Sequence, residues 1–172
     1  MNDFTYYYDS PIGMIEIHAG DKYIDSILFV NSGRGPVIEK PVRSNLKNAS
    51  PIIQQCVKEL EEYFKGKRKD FDFKFSQTGT EFQEKIWKEL THIPYGRTIS
   101  YLELSKRIGN VKAIRAVGTT NGKNQLCIVV PCHRVIGSNG SLVGYGGELW
   151  RKKWLLEHEA KFGNGVQELF SR

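Results

Sequence analysis

The stretch that most constrains this chain is LCIVVPCHRV, from Leu126 to Val135. Its apolar residues, Leu126 to Val129 and then Val130, read as a short buried strand. Pro131 has no N–H to give to a ladder and fixes its own φ, so pairing stops there. Cys132, His133 and Arg134 then stand where a rigid support ends and the backbone turns, a place from which side chains can face a cleft. A single cysteine is ordinarily a small buried hydrophobe. Here the adjacent imidazole and guanidinium change the expectation, because positive surroundings lower a thiol pKa and leave a thiolate at neutral pH.

At 172 residues the chain is long enough for a real core, in one domain or two small ones. No run approaches the roughly 20 apolar residues of a membrane span. The opening MNDFTYYYDS lacks the basic and apolar regions of a signal peptide, so a cytoplasmic protein is expected. Cys56, Cys127 and Cys132 make an odd count without a CxxC, which points to neither a disulfide framework nor a thiolate metal site. The net charge of +6 is uneven: residues 1–76 hold 11 Lys/Arg and 11 Asp/Glu, residues 77–172 hold 14 and 8. A basic half that also carries the reactive-looking cysteine fits either a polyanionic partner or solubility alone.

Residues 4–9, 12–17 and 23–30 read as an antiparallel meander, followed by an irregular connection over 31–50. Ser50 and Pro51 open a helix whose inner stripe is Ile52, Ile53, Cys56, Val57, Leu60 and Phe64. Phe71, Phe73 and Phe75 alternate with polar residues as one more extended stretch. A boundary is expected near 76–79, dividing an N-terminal sheet-and-helix domain (1–76) from a C-terminal domain (77–172). Thr80 and Gln83 have the spacing of a capping box ahead of a helix bearing Phe82, Ile86, Trp87 and Leu90.

Ser100 can cap a short helix to about Ile108, and Gly109-Asn110 breaks it before a second helix to about Thr120. Two short helices about a tight glycine turn are a helix-turn-helix arrangement, which also occurs in proteins that bind no DNA. On the second helix Val111, Ile114, Val117 and Gly118 share one side, while Lys112, Arg115, Ala116 and Thr119 share the other. That small, basic outer face suits close approach to a nucleic-acid groove. The glycine-rich loop 137–147 lacks the spacing of a phosphate cradle and reads as a surface on which something flat can lie. A final helix from about Leu149 carries the Arg151-Lys152-Lys153 run as positive surface and turns Glu159 inward; the last ten residues read as a tail.

Adjacent side chains often diverge, so the fold has to bring Cys132 and His133 together. With Glu159 on the other ring nitrogen the set follows the nucleophile–base–orienter logic of activated thiols. Three readings stay open on these residues alone: a thiol hydrolase, a thiol acceptor of a transferred group, and a structural cysteine in a DNA-binding module.

PCHRV at 131–135, ISY at 99–101, RAVG at 115–118, and GYGG with the following KKWLLEHE at 152–159 resemble the methylated-DNA–protein-cysteine methyltransferases (O6-alkylguanine-DNA alkyltransferases). The match covers about residues 80–160 in the family's order and spacing. It implies a mixed α/β fold: a small antiparallel sheet-plus-helix domain, then a mainly helical domain with a helix-turn-helix and a short strand leading to the active cysteine. It implies that Cys132 accepts the alkyl group, with His133 and Glu159 activating it through a water-linked network. Tyr101 would donate to the departing base and Asn124 would brace the loop before the active strand. Arg115 would enter the duplex, with Lys112, Ala116, Thr119 and Arg134 also on the DNA. Val143, Tyr145, Gly146 and Gly147 would line the base pocket. The implied activity is a single-use transfer of methyl from O6-methylguanine, and from O4-methylthymine, flipped out of duplex DNA. No cofactor or metal, no membrane partner and a monomeric state are expected. The chain departs from the family pattern at Gln125 (usually Pro), Glu148 (usually Gly) and Val111 (often Pro).

Overall fold

The structure, a computed structural model, describes residues 2–40 and 42–163; apart from residue 163, the tail expected over the last ten residues lies outside the described residues. The fold is mixed α/β, and the chain divides into two compact units, Met1–Gln77 and Thr78–Arg172.

In the first unit β1 (Phe4–Ser10), β2 (Gly13–Ala19) and β3 (Ile24–Phe29) form an antiparallel meander in that order. The pairing sets Tyr6 opposite Ile17 and Tyr8 opposite Ile15, so one face is apolar. The register of β2 on β3 continues that face with Ile27 opposite Ile17 and Phe29 opposite Ile15. Helix α1 (Pro51–Phe64) covers the sheet's apolar side with buried Ile53, Cys56, Val57, Leu60 and Tyr63. Fully burying each such aliphatic side chain contributes about 1.5–3 kcal/mol. Ser50 precedes the helix without a side-chain cap; Pro51 begins it, in keeping with a first turn whose N–H groups need no partner. Phe75 extends the sheet by one parallel bridge to Ile24.

The second unit starts at α2 (Glu81–Leu90), closed by the reciprocal Thr80–Gln83 capping box. Strand β4 (Ile99–Ser100) runs directly into α3 (Tyr101–Arg107), where the Ser100 hydroxyl accepts from the Glu103 N–H at 3.0 Å. Gly109 turns the chain at φ +77°, a conformation that any side chain would strain. A short 3-10 turn, Val111–Ala113, then leads into α4 (Ile114–Gly122). The indole of Trp87 on α2 donates to the Thr120 carbonyl at 3.1 Å and ties α4 down. Val111 and Ile114, expected on the inner side, are 52% and 38% exposed. The 3-10 turn changes the angular spacing, so the periodicity of a continuous helix does not carry across it.

The strand expected to lead to Cys132 is absent: Leu126 makes a single bridge, 127–129 turn and Val130 bends the chain. Val129 N–H donates to the Cys127 carbonyl and Val130 N–H to the Leu126 carbonyl, at 2.8 and 2.9 Å. Ile128 takes φ +72°, which no strand tolerates and which costs a β-branched residue about 1–3 kcal/mol. The strand comes after the cysteine instead, as β5 (Val135–Ile136), parallel to β4. Helix α5 (Leu149–Phe162) completes the unit. No helix among the described residues is long and apolar enough to cross a membrane.

Candidate active site

Cys132 opens a one-turn 3-10 segment, Cys132–Arg134, and is almost fully buried. The turns before it are held by one side chain. Asn124 Nδ2 donates to the carbonyls of Val130 (2.7 Å) and Leu126 (3.3 Å), and its Oδ1 accepts from Leu126 N–H at 3.0 Å. These bonds satisfy backbone groups that a strand ladder would have used, so the asparagine stands in for the missing strand.

His133 and Glu159 are both completely buried, with His133 Nε2 2.8 Å from Glu159 Oε1. Burial pushes the imidazole below its ordinary pKa; the Glu159 carboxylate opposes this, and Arg134 and Lys152 reinforce it. A neutral ring donating Nε2–H to the carboxylate carries its lone pair on Nδ1, and that buried nitrogen has no hydrogen-bond partner. Burial pushes Glu159 up, but His133 and Arg134 outweigh it and hold the carboxyl well below the usual range. Arg134 grips the carboxylate with Nε and Nη2, both at 2.9 Å, while Gly96 N–H donates from 3.3 Å.

That arrangement corrects the place expected for Arg134 among the DNA contacts. Its guanidinium is buried, with Nη1 on the Ile93 carbonyl at 2.7 Å and the remaining donors on Glu159. A guanidinium bound two-pronged to a buried carboxylate has little left for a phosphate. It also cannot supply the net positive surroundings anticipated beside the thiol, and neither can a neutral His133.

Lys152 supplies them instead. Expected on the surface, it is completely buried, and its ammonium donates to the carbonyls of Val135 (2.5 Å) and Val143 (2.7 Å). Burial lowers its pKa to about 8, against which a thiolate at Cys132 would work. Arg151 is buried too, with Nη1 on the Gly147 carbonyl at 3.1 Å.

Tyr101, the first residue of α3, donates its hydroxyl to the Val143 carbonyl at 3.0 Å and lies 3.4 Å from that of Gly144. Gly144 sits at φ +65°, and a Cβ there would stand 3.0 Å from the Tyr101 oxygen; the loop needs glycine on both counts. Val143 and Gly144 are exposed, Tyr145 and Gly146 half-buried and Gly147 buried, so the loop forms one wall beside Tyr101. Asn121 also enters the site, donating from Nδ2 to the Cys132 carbonyl at 3.2 Å. Nothing in the sequence assigned Asn121 or Lys152 to the site: one reads as a small polar helix residue, the other as part of a solvated charge run.

On α4 and the turn before it Lys112, Arg115, Ala116 and Thr119 are all exposed, a small and basic surface. At the start of α5 Glu148 adopts φ +77°, where glycine would be free of strain. Its carboxylate accepts from Trp150 Nε1 at 2.7 Å and pairs with Arg151 at 3.8 Å.

A buried cysteine preceding an imidazole oriented by a carboxylate, in a unit that exposes a basic helix, defines a thiol-using protein with a polyanion-compatible face. Comparisons with known proteins make the class specific. Residues 4–77 match the model of the 6-O-methylguanine DNA methyltransferase ribonuclease-like domain, and residues 81–161 that family's DNA binding domain. The chain belongs to the 6-O-methylguanine DNA methyltransferase family. It is 44% identical over 152 residues to the methylated-DNA–protein-cysteine methyltransferase of Methanosarcina acetivorans, covering 88% of this chain and 95% of that one. The corresponding Mycolicibacterium paratuberculosis protein is 40% identical over 162 residues, covering 94% and 95%. Among solved structures, the Mycobacterium tuberculosis O6-methylguanine methyltransferase superposes with a TM-score of 0.78 at 36% identity, over 95% of this chain and 96% of that one. The same organism's OGT in complex with DNA gives 0.81 at 37% identity, over 92% and 93%.

Proposed function

We propose that this protein repairs alkylated duplex DNA by direct reversal: it flips O6-methylguanine out of the helix and moves the methyl group to Cys132. The methyl carbon on O6 is out of reach inside a stacked duplex, so the base has to leave the stack. Helix α4 and the turn before it approach the minor groove with Lys112, Ala116 and Thr119, and Arg115 fills the space the base vacates. The loop of Val143, Tyr145, Gly146 and Gly147 receives the flipped ring, and Asn124 keeps the turns under Cys132 rigid.

His133 Nδ1 takes the thiol proton through a bridging water, and Glu159, held in place by Arg134, stabilises the resulting imidazolium. The Cys132 sulfur attacks the methyl carbon in line; the S–C bond forms as the C–O6 bond breaks, and the electron pair passes to the purine. The Tyr101 hydroxyl donates to the ring nitrogen that becomes basic as this happens. Products are guanine restored in DNA and S-methylcysteine. A thioether offers water no acyl carbon, so each molecule acts once. O4-methylthymine carries the same kind of methyl on an exocyclic oxygen and is included as a substrate.

The observation that carries this reading is the buried Glu159–His133 hydrogen bond, which leaves a neutral, unpartnered Nδ1 on the residue next to Cys132. Support from outside the site comes from relatives named for this activity and from a similar protein's complex with DNA. The test is a titration of protein into excess O6-methylguanine duplex. Repair that stops at one lesion per protein molecule is expected; turnover, or none at all, contradicts the proposal.

A further inference from the structure

Lys152 is completely buried on α5. Its neighbouring cations Arg134, Arg151 and Lys153 each pair with a carboxylate, whereas among the described residues Lys152 pairs with none. Taking an unpaired ammonium out of water is costly, and an apolar side chain of similar length, such as methionine, avoids that cost. The donors are therefore what the position retains. One goes to the Val135 carbonyl at 2.5 Å and one to the Val143 carbonyl at 2.7 Å. The ammonium also stands over the Tyr101 ring, 5.7 Å from its centroid, within the range of a cation–π contact.

These contacts join the two sides of the site. Val135 directly follows the Cys132–Arg134 turn, and its N–H donates to the Cys132 carbonyl. Val143 opens the loop that forms the wall beside Tyr101. The far end of that loop has an anchor of its own, because Arg151 donates to the Gly147 carbonyl at 3.1 Å. Two consecutive residues of α5 thus hold the loop at both ends.

The Val143 carbonyl has a second donor, the Tyr101 hydroxyl at 3.0 Å. A carbonyl oxygen has two lone pairs and accepts both bonds, but a phenol has a single proton to give. In the proposed transfer that proton goes to the purine. Tyr101 therefore has to let go of the loop just as the base arrives.

We infer that Lys152 is a positioning residue for the transfer: it keeps the Val143 end of the pocket loop in register with the Cys132 turn while Tyr101 moves its proton from the loop to the base. This rests on the reading of Cys132 and Tyr101 given above. With Lys152 in place, the carbonyl that Tyr101 leaves still has a partner, so the release strands no acceptor and the wall stays where the base needs it. Without Lys152, one phenol proton would have to serve both the loop and the base.

The test measures backbone amide order parameters of the loop by NMR relaxation, on the full chain as wild type, Tyr101→Phe and Lys152→Met. Single-turnover transfer from an O6-methylguanine duplex is followed beside them. Tyr101→Phe should leave Val143 and Gly144 at the rigid-backbone value of about 0.85, because Lys152 still holds the carbonyl. Lys152→Met should bring them below about 0.6 while Gly147 stays rigid. At saturating protein the methionine variant is expected to transfer roughly tenfold more slowly, a smaller loss than removing a direct donor causes, with its affinity for undamaged duplex unchanged. A loop that stays rigid in Lys152→Met overturns the inference, as does loosening of both ends alike, or a wild-type rate with a loosened loop. A loop freed by Tyr101→Phe overturns it as well, and that result stands even if the methionine variant does not fold. Absence of transfer by wild type strikes the parent reading instead, since the order parameters are read without any transfer.

Discussion

Cys56 and Cys132 are both free and both buried, yet the two units that hold them treat a thiol in opposite ways. In the first unit Cys56 lies on the inner stripe of α1, and burial, with Glu59 adding to it, pushes its pKa far above the ordinary thiol value. In the second unit Cys132 adjoins the buried His133, its carbonyl accepts from Asn121, and a thiolate there would interact with Lys152 and Tyr101. The cores differ in the same sense. Among the described residues the buried polar or charged set is Ser10, Glu16 and Glu59 in the first unit, against ten residues in the second. From that second group Asn121 bonds to Cys132, and His133 and Arg134 to Glu159. Apolar burial stabilises a fold without aiming anything; buried polar groups need partners in set directions, and those directions are what a reaction uses.

The sharpest break of this comparison is at the nucleophile. Cys132→Ser should abolish transfer with the fold retained, whereas Cys56→Ser should leave the single-turnover rate of the folded protein unchanged; both are read by transfer assays on folded, monodisperse samples. Next in size is the buried ion cluster. Glu159→Ala strands Arg134 and should destabilise the second unit by about 3–5 kcal/mol, measured by urea unfolding.

Acid provides a graded version of the same experiment. His133 is held below its unfolded pKa of about 6.5, so below that pH the unfolded chain binds a proton that the folded one refuses, and stability falls. Glu159 is depressed as well, so its contribution is present above the unfolded value of about 4.3 and is lost as pH drops further. Urea midpoints should decline from pH 7 downward, and His133→Gln should flatten the upper part of that decline. The smallest effect belongs to the apolar core. Ile27→Val should cost about 0.5–1.5 kcal/mol in unfolding experiments and leave the transfer rate of folded molecules unchanged.

The sequence made the meander, the Thr80 and Ser100 caps, the helix pair and the meeting of His133 with Glu159 legible, because each rests on local spacing or on a specific motif. Its failures share one cause. Leu126–Val130 read as a strand because apolar runs usually are, but Asn124 takes over the backbone groups and Ile128 turns left-handed. Arg134 and Lys152 read as surface cations because charge is normally solvated, whereas here a carboxylate and two carbonyls reached across the fold hold them inside. Asn121 carried no signal, since its meaning depends on what faces it from the Cys132 turn. Partners distant in sequence decide these cases, and periodicity cannot supply them.

The central claim is that Cys132, alone among the three cysteines, is the terminal acceptor of the lesion's methyl group. The direct measurement is the intact mass of the protein after incubation with duplex DNA carrying one O6-methylguanine, followed by peptide mapping. The account predicts the added mass of a single methylene, located on the peptide containing Cys132 and absent from the Cys132→Ser protein. An unchanged mass with the lesion still bound, or modification at Cys56 or Cys127, would contradict it.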